Sequence, residues 1–221
     1  MTEIANRSQY LAALGVEQWV LRRPAAQPAV DSMDWAQLRA AVAQCRLCAL
    51  ATTRTQTVFG VGDVAARWLI IGEAPGADED RQGEPFVGAA GQLLNKMLAA
   101  IDLPRDRVFI ANMLKCRPPG NRDPQPGELS CCGPYLQRQI ALLRPAIILV
   151  VGRIAAQALL ATDEPLGRLR GQVHRIGALN TPVIVTYHPA YLLRSPGEKR
   201  KAWEDLKFAR QTFQQLTSEP G

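Results

Sequence analysis

Residues 68–76, Trp-Leu-Ile-Ile-Gly-Glu-Ala-Pro-Gly, place a short apolar run directly before a loop rich in glycine and proline. The run does not alternate with polar residues, which is typical of a strand buried on both faces. Similar runs occupy residues 108–111, 147–151 and 183–186. Helical spacing predicts helices over 89–101, 128–143, 153–160 and about 198–216. This alternation predicts an α/β fold, in which helices cover both faces of a parallel sheet.

Polar side chains follow three of the four predicted strands. Glu73 comes after the first strand, Asn112 ends the second, and His188 follows the fourth. In open parallel sheets, ligands bind beyond the carboxyl ends of the strands. We therefore expect Glu73, Asn112 and His188 to converge on one crevice, although each could alternatively have a purely structural role.

Two further features of the loops belong to the same edge. Gly72 opens a tight turn that could let a ligand approach the backbone closely, although a plain turn is the simpler interpretation. Phe86 stands between Gly83 and Gly88 and is either a core residue or a stacking platform for a base. Lysine and arginine side chains in neighbouring loops, such as Lys115, Arg117 and Arg194, would suit phosphate contacts.

The composition is that of an ordinary globular protein, with 47% of the 221 residues hydrophobic and 21% charged. No run approaches the ~18 apolar residues of a membrane span, which argues against a membrane protein. The formal net charge of +6 is compatible with a polyanionic partner. An odd number of cysteines, five, and an N-terminus unlike a secretory signal predict a cytoplasmic protein.

The first 32 residues are expected to form an extension outside the main domain. Residues 7–23 have helical spacing and are followed by a linker rich in proline and alanine. Asp34 is predicted to cap a helix that starts at Trp35 and ends near Gln44. The main domain is therefore predicted to comprise residues 33–221.

Four cysteines form a candidate ligand set: Cys45, Cys48, Cys116 and Cys132. Cys131 is adjacent to Cys132 and is interpreted as unrelated to the set. A zinc site usually combines two tight pairs, but here the second pair is widely spaced. An iron–sulfur cluster accepts scattered ligands because it is larger than one ion. Spacing alone leaves a cluster, a zinc site and unconnected thiols about equally open.

Four segments together resemble the family-4 uracil-DNA glycosylases, the iron–sulfur members of the uracil-DNA glycosylase superfamily. They are residues 72–80 (GEAPGADED), 85–94 (PFVGAAGQLL), 112–119 (NMLKCRPP) and 188–193 (HPAYLL). The resemblance extends from about residue 35 to the C-terminus. It implies a three-layer α/β/α sandwich on a four-stranded parallel sheet, and a [4Fe–4S] cluster held by Cys45, Cys48, Cys116 and Cys132.

The resemblance also implies an activity, the hydrolysis of the N-glycosidic bond of uracil in DNA, without a lyase step. His188, Glu73 and Asn112 are the implied catalytic residues. The implied uracil-binding residues are Gly72, Glu73, Ala74, Glu79, Phe86, Asn112 and His188. The side chain of an asparagine can pair with O4 and N3–H of uracil but not with the same edge of cytosine. Glu79 is expected near C5 of the base, where the methyl group of thymine must be excluded.

The implied partner is uracil-containing DNA, single or double stranded, bound by a monomer. Lys115, Arg117 and Arg194 are expected to contact DNA, and Leu192 or Leu193 to fill the gap left by the extruded base. Two alternatives are an iron–sulfur DNA-binding module without catalysis and a nucleotide-binding redox protein. Retention of Phe86, Asn112 and His188 together argues against the first, and the lack of a dinucleotide fingerprint argues against the second.

Overall fold

The computed structural model describes residues 13–15 and 29–218. Its sheet has six strands in the order β1-β3-β2-β4-β6-β5. They are β1 (Val61–Gly62), β2 (Trp68–Gly72), β3 (Val108–Asn112), β4 (Ile147–Val151), β5 (His174–Ile176) and β6 (Thr181–Thr186). Strands β3, β2, β4 and β6 are parallel neighbours, while β1 and β5 pair antiparallel at the two edges.

The α/β class is confirmed, but the expected number of strands, four, is wrong. The four apolar runs form the parallel centre of the sheet, and β1 and β5 extend it to six. Both added strands are very short, and β5 consists of His-Arg-Ile. Such segments carry no continuous apolar run because an edge strand is only partly buried, and so hydrophobic pattern does not reveal them.

Eight helices surround the sheet in the described residues. They are α1 (Trp35–Gln44), α2 (Ala77–Gln82), α3 (Ala89–Ala99), α4 (Pro126–Leu143), α5 (Arg153–Leu160), α6 (Leu166–Leu169), α7 (Pro189–Arg194) and α8 (Lys199–Ser218). Asp34 caps α1 as predicted, and its side chain accepts a hydrogen bond from Gln37 N. None of these helices is long and apolar enough to cross a membrane.

The central strands are buried on both faces, which explains why their sequences do not alternate. Leu69 and Ile71 of β2 face a core formed with α1, α4, α5 and α6. Trp68 and Ile70 of the same strand face a second core, formed with α3, α7 and α8. This three-layer arrangement agrees with the predicted sandwich.

The predicted helix over residues 7–23 lies mostly outside the described residues. Val30–Ser32 form a 3-10 turn. Val30 packs against the core on the α4 side, and Met33 is buried there. The proposed boundary after residue 32 stays a prediction.

The strand order reverses direction between β2 and β4. From β2 the chain moves to β3 on one side, and then crosses to β4 and β6 on the other. The connections that leave β2 and β4 therefore diverge and open a crevice beyond the carboxyl ends of these strands. That crevice is the candidate site.

Candidate active site

A cavity of about 570 Å³ opens at the carboxyl edge of the sheet. It brings together side chains that the sequence separates by more than a hundred residues, as expected from the ends of the strands. Six of the residues predicted to act on uracil line it: Glu73, Ala74, Glu79, Phe86, Asn112 and His188.

Gly72 lies behind the cavity and allows its two walls to meet. A Cβ atom at this position would stand 2.4 Å from Asn112 Oδ1 and 2.6 Å from Phe86 Cζ. Both distances are far below van der Waals contact, so any larger residue would displace one of the two side chains. Gly72 therefore shapes the cavity through the absence of a side chain.

Asn112 ends β3 beside Gly72, its register partner in β2. The residue is buried, and its Oδ1 atom has no hydrogen-bond partner among the described residues. A buried acceptor without a partner costs roughly 1–3 kcal/mol, a cost that a ligand donor can remove. The amide is thus prepared for a ligand that carries hydrogen-bonding groups.

Phe86 is held in an unusual conformation at the cavity wall. Its φ of 55° is in the left-handed region, which residues other than glycine seldom adopt. Arg105 fixes the segment, since its guanidinium donates to Phe86 O at 3.3 Å and Pro85 O at 2.7 Å. The Phe86 ring lies 5.7 Å from the His188 ring, tilted by 32°. Such strain at a cavity is typical of functional sites.

His188 is the N-cap residue of α7, and this position determines which nitrogen of its ring carries the proton. Its Nδ1 atom accepts a hydrogen bond of 3.1 Å from Ala190 N. Nδ1 therefore carries no proton, and a neutral ring must carry it on Nε2. Burial, helped by the positive charge of Arg194, lowers the pKa of His188 to about 4. At neutral pH, the side chain is an uncharged donor at the cavity.

Glu73 is the carboxylic acid whose ionisation the cavity alters most. Burial, together with the negative charge of Asp123, raises its pKa to about 7, and Arg153 opposes this shift. Arg153 and Asp123 also line the cavity and form an ion pair at 3.8 Å. An acid with a pKa near 7 can exchange protons at physiological pH.

Glu79 braces the loops around the cavity. Its Oε1 atom accepts hydrogen bonds from Val87 N at 2.9 Å and Gly88 N at 3.1 Å, and its Oε2 atom accepts one from Gly76 N at 3.0 Å. The carboxylate thereby joins the loop after β2 to the loop that carries Phe86.

Two of the residues predicted to touch DNA are buried, which corrects the expectation for them. Lys115 is 1% exposed, and its ammonium donates to Asn112 O and to Gln139 Oε1 of α4. Leu192 is 1% exposed and packs into the core between α3 and α8. Neither side chain can reach a phosphate or a base stack from these positions.

The other three predicted DNA contacts lie at the surface. Arg194 is exposed and lines the cavity, and Leu193 is exposed on the same helix. Arg117 is half-buried, and its Nε atom donates to Asn121 Oδ1 at 2.7 Å.

The cavity wall also contains residues that the sequence did not single out, among them Asp78, Asp123, Arg153 and Tyr191. Arg153 directly follows Gly152 at the end of β4, so the rule that identified Glu73 and Asn112 could have identified it too. Asp123 and Tyr191 carried no comparable signal. The first belongs to a long loop, and the second lies in segment 188–193, where only Leu192 or Leu193 was expected to fill the gap left by the base.

Three of the four candidate ligand cysteines, Cys48, Cys116 and Cys132, gather in a separate cluster under the loop that follows β2. Cys45 packs against the core on the α4 side, near enough to Cys116 for its charge to raise the pKa of that thiol. Cys116 and Cys132 are buried with Leu50 and Leu114, and Cys48 and Ala74 pack against them. Burial raises the pKa of the Cys116 thiol and raises that of Cys132 to about 11, and both lie near enough to Cys48 for its charge to raise them further. Cys131 points elsewhere, towards Leu47 O at 3.4 Å.

The cysteine cluster does not form a site for a single metal ion. Across residues 13–15 and 29–218, no group of three or more His, Cys, Asp or Glu side chains could hold a metal ion as it stands. A [4Fe–4S] cluster is larger than one ion and accepts ligands that lie further apart. Three thiols in one apolar pocket, with Cys45 beside Cys116, fit that need. Arg54 supplies a positive charge there, since its Nη1 atom lies 3.0 Å from Cys116 Sγ and its Nη2 atom donates to Cys45 O.

Comparison with known proteins identifies the family of the chain. Residues 59–207 match the family model described as the uracil DNA glycosylase superfamily. The chain is 45% identical to a type-4 uracil-DNA glycosylase of Archaeoglobus fulgidus, over 75% of this chain and 86% of that protein. It is 42% identical to a type-4 enzyme of Pyrobaculum aerophilum, over 79% and 92%, and 38% identical to one of Thermotoga maritima, over 76% and 89%.

The chain thus belongs to the uracil-DNA glycosylase superfamily. Within it, the extent and identity of these matches place the chain more narrowly: it belongs to the type-4 uracil-DNA glycosylases.

Proposed function

We propose that this protein is a DNA repair enzyme that extrudes uracil from DNA and hydrolyses its N-glycosidic bond, leaving an abasic site. The observation that carries the proposal is one cavity in which the unpaired amide of Asn112, the ring of Phe86 and the Nε2–H donor of His188 come together. The names of the three relatives reported above, each a type-4 uracil-DNA glycosylase, support the same activity.

Recognition of the base is assigned to Asn112 and Phe86. Uracil presents an acceptor, O4, beside a donor, N3–H, and a carboxamide offers the complementary pair. Cytosine presents an amino group and an unprotonated N3 there, so both partners would be mismatched. Phe86 would stack on the extruded ring, while Gly72, Ala74 and the loop braced by Glu79 would enclose its other edges.

Departure of the base is assigned to His188. As the bond between C1′ and N1 breaks, its electron pair remains on uracil, and negative charge spreads to O2 and O4. A neutral His188 can donate Nε2–H to O2, and this hydrogen bond strengthens as the charge develops. The Nδ1 bond to Ala190 N supports this role because it keeps the proton on Nε2.

Activation of water is assigned to Glu73. A water oxygen bonds to C1′ as uracil leaves, and the proton that it loses can pass to the Glu73 carboxylate. The pKa of about 7 supports this role, since the group is substantially ionised at neutral pH and still basic enough to accept a proton. We expect no lyase step, because none of the lysines that the structure describes lines the cavity.

Binding of DNA is assigned to the surface around the cavity mouth. Arg194, Arg117 and Leu193 remain candidates there, and Lys115 and Leu192 are withdrawn. We propose that the protein acts as a cytoplasmic monomer on single- or double-stranded DNA, and that residues 33–221 form the catalytic domain behind an extension of residues 1–32.

We further propose that Cys45, Cys48, Cys116 and Cys132 hold a [4Fe–4S] cluster. When bound, the cluster would link the end of α1 and the loop after it to the loop after β3 and to α4. The packing of Ala74 against these cysteines supports a structural role, because Ala74 also lines the cavity. A rigid arrangement of the cysteines would thereby hold the loop that carries Glu73 in place.

The activity is tested with oligonucleotides that each carry one uracil, cytosine or thymine at the same position. After incubation with purified protein, alkali cleaves the strand wherever a base has been lost. We expect cleavage of the uracil oligonucleotide alone. An intact uracil strand, or equal cleavage of the three strands, would overturn the proposal.

A further inference from the structure

The short helix α7 carries three consecutive large apolar side chains whose surroundings differ. An enzyme that extrudes a base leaves a gap in the base stack, and a side chain that enters the gap stabilises the extruded state. Such a side chain must be exposed, and it must lie at the mouth of the cavity that receives the base. The three candidates are Tyr191, Leu192 and Leu193.

Only Tyr191 meets both conditions. Leu192 is 1% exposed and lies in the core. Leu193 is 44% exposed but does not contribute to the cavity wall. Tyr191 is 40% exposed and does line the cavity, and its backbone N–H donates to His188 O at 2.9 Å. It therefore stands one helical turn from the residue assigned to the leaving base.

Tyr191 is also supported from within the protein. Its ring stacks on that of Tyr187 with the centroids 5.5 Å apart and the planes inclined by 11°. The guanidinium of Arg170 lies 4.5 Å from the centre of the Tyr187 ring. An aromatic side chain backed by a second ring loses little conformational freedom when it meets a base.

Arg170, which contacts Tyr187, is itself held by an ion pair with a buried residue. Arg170 donates to both carboxylate oxygens of Asp205, at 2.7 and 2.8 Å. Asp205 is buried in α8 and also accepts a hydrogen bond of 2.7 Å from Thr186 Oγ1, at the end of β6. Tyr187, on which Tyr191 stacks, is thus linked through Arg170 and Asp205 to both β6 and α8.

We infer that Tyr191 is the side chain that enters the base stack and occupies the gap left by the extruded uracil. This inference rests on the proposed function and deepens it, because it assigns the step that holds the base outside the duplex. Aromatic stacking on a neighbouring base suits this role without requiring a particular sequence. A single strand has no paired stack to reseal, so the contribution of Tyr191 is specific to duplex DNA.

The test compares single-turnover uracil excision from a duplex with that from the same strand alone. Tyr191→Ala should slow excision from the duplex by about tenfold, the loss expected for one stacking contact. Its rate on the single strand should change much less, and this rate also shows that the variant is folded with an intact cavity. Tyr191→Phe should keep the wild-type ratio, because the ring remains.

Trp203→Ala is the matched control. Trp203 is also 40% exposed, but it lies on α8 beside a different groove, so its removal should leave both rates unchanged. The inference is overturned if Tyr191→Ala leaves the two rates unchanged or slows both equally, or if Leu193→Ala alone lowers the duplex rate. A wild-type protein that leaves both substrates intact overturns the proposed function, and the assignment of Tyr191 with it.

Discussion

Burial acts on an acid and a base in the same cavity and favours the uncharged form of each. It raises the pKa of Glu73 to about 7 and lowers that of His188 to about 4. The two residues consequently titrate in the reverse of their ordinary order. At pH 7, His188 is a neutral donor, and about half of Glu73 is ionised and able to accept a proton.

The pH profile of single-turnover excision should report Glu73. Because only the ionised carboxylate accepts a proton from water, the rate should rise with pH through a midpoint of about 7. His188 should add no second limb near pH ~6.5, the ordinary range of histidine, since its proton is already lost.

Glu73→Gln should remove this rise and lower the plateau. Glu164→Gln is the control, since it neutralises an exposed carboxylate that does not line the cavity and should keep the wild-type profile. A wild-type rate that does not vary over this pH range, or a Glu73→Gln variant with an unchanged rise, would contradict the assignment.

At the scale of elements, hydrophobic pattern predicted the parts that are buried along their whole length. The four apolar runs became β2, β3, β4 and β6, and their carboxyl ends met at one edge as parallel pairing requires. Pattern failed for the short edge strands β1 and β5. Their formation depends on a neighbour that is already in place, which local sequence does not encode.

The difference between local sequence pattern and long-range contacts also explains which site residues could be predicted. Glu73, Asn112 and His188 are found by their position after a strand. The burial of Lys115 depends on Gln139, 24 residues away on α4, and that of Leu192 on packing between α3 and α8. Long-range contacts of this kind have no local signature, so a lysine in a basic loop and a leucine in a surface motif were both expected at the surface.

Two helix glycines test how tightly α3 supports the cavity. A Cβ atom at Gly91, near the start of α3, would lie 1.8 Å from Phe86 O. Gly91→Ala should therefore displace the Phe86 segment, lower stability by about 1–3 kcal/mol and slow uracil excision.

Gly127, near the start of α4, provides the matched control. A Cβ atom there meets nothing within 4 Å, so Gly127→Ala should be neutral or stabilise the fold by up to about 1 kcal/mol. Melting temperatures and single-turnover rates measure both effects. Equal melting temperatures for the two variants would show that α3 does not press on the Phe86 segment.

At the scale of the whole molecule, the cysteine cluster joins segments that are far apart in sequence. Cys45 and Cys48 follow α1, Cys116 follows β3, and Cys132 lies within α4. Arg54 contacts two of these segments through Cys116 Sγ and Cys45 O. A [4Fe–4S] cluster held by these cysteines, as proposed, would therefore tie these segments together beside the cavity.

Adjacent cysteines allow the ligand set to be tested with a matched pair of variants. Protein purified without oxygen should be brown and contain about four irons per chain. Cys132→Ser should lose iron, because its thiol is one of the four proposed ligands, whereas Cys131→Ser should retain it. Stoichiometric zinc in the wild-type protein, or equal iron contents in the two variants, would reject the [4Fe–4S] assignment.

The most direct measurement compares single-turnover excision of uracil and 5-fluorouracil from the same DNA by wild-type protein and His188→Ala. Fluorine stabilises the departing anion, so the need for a donor at O2 decreases. We expect His188→Ala to lower the rate for uracil by ~10²–10³, the usual cost of such a donor, and the rate for 5-fluorouracil by clearly less. Equal losses for the two bases, or an unchanged rate for uracil, would contradict the claim that a neutral His188 in this cavity stabilises the leaving base.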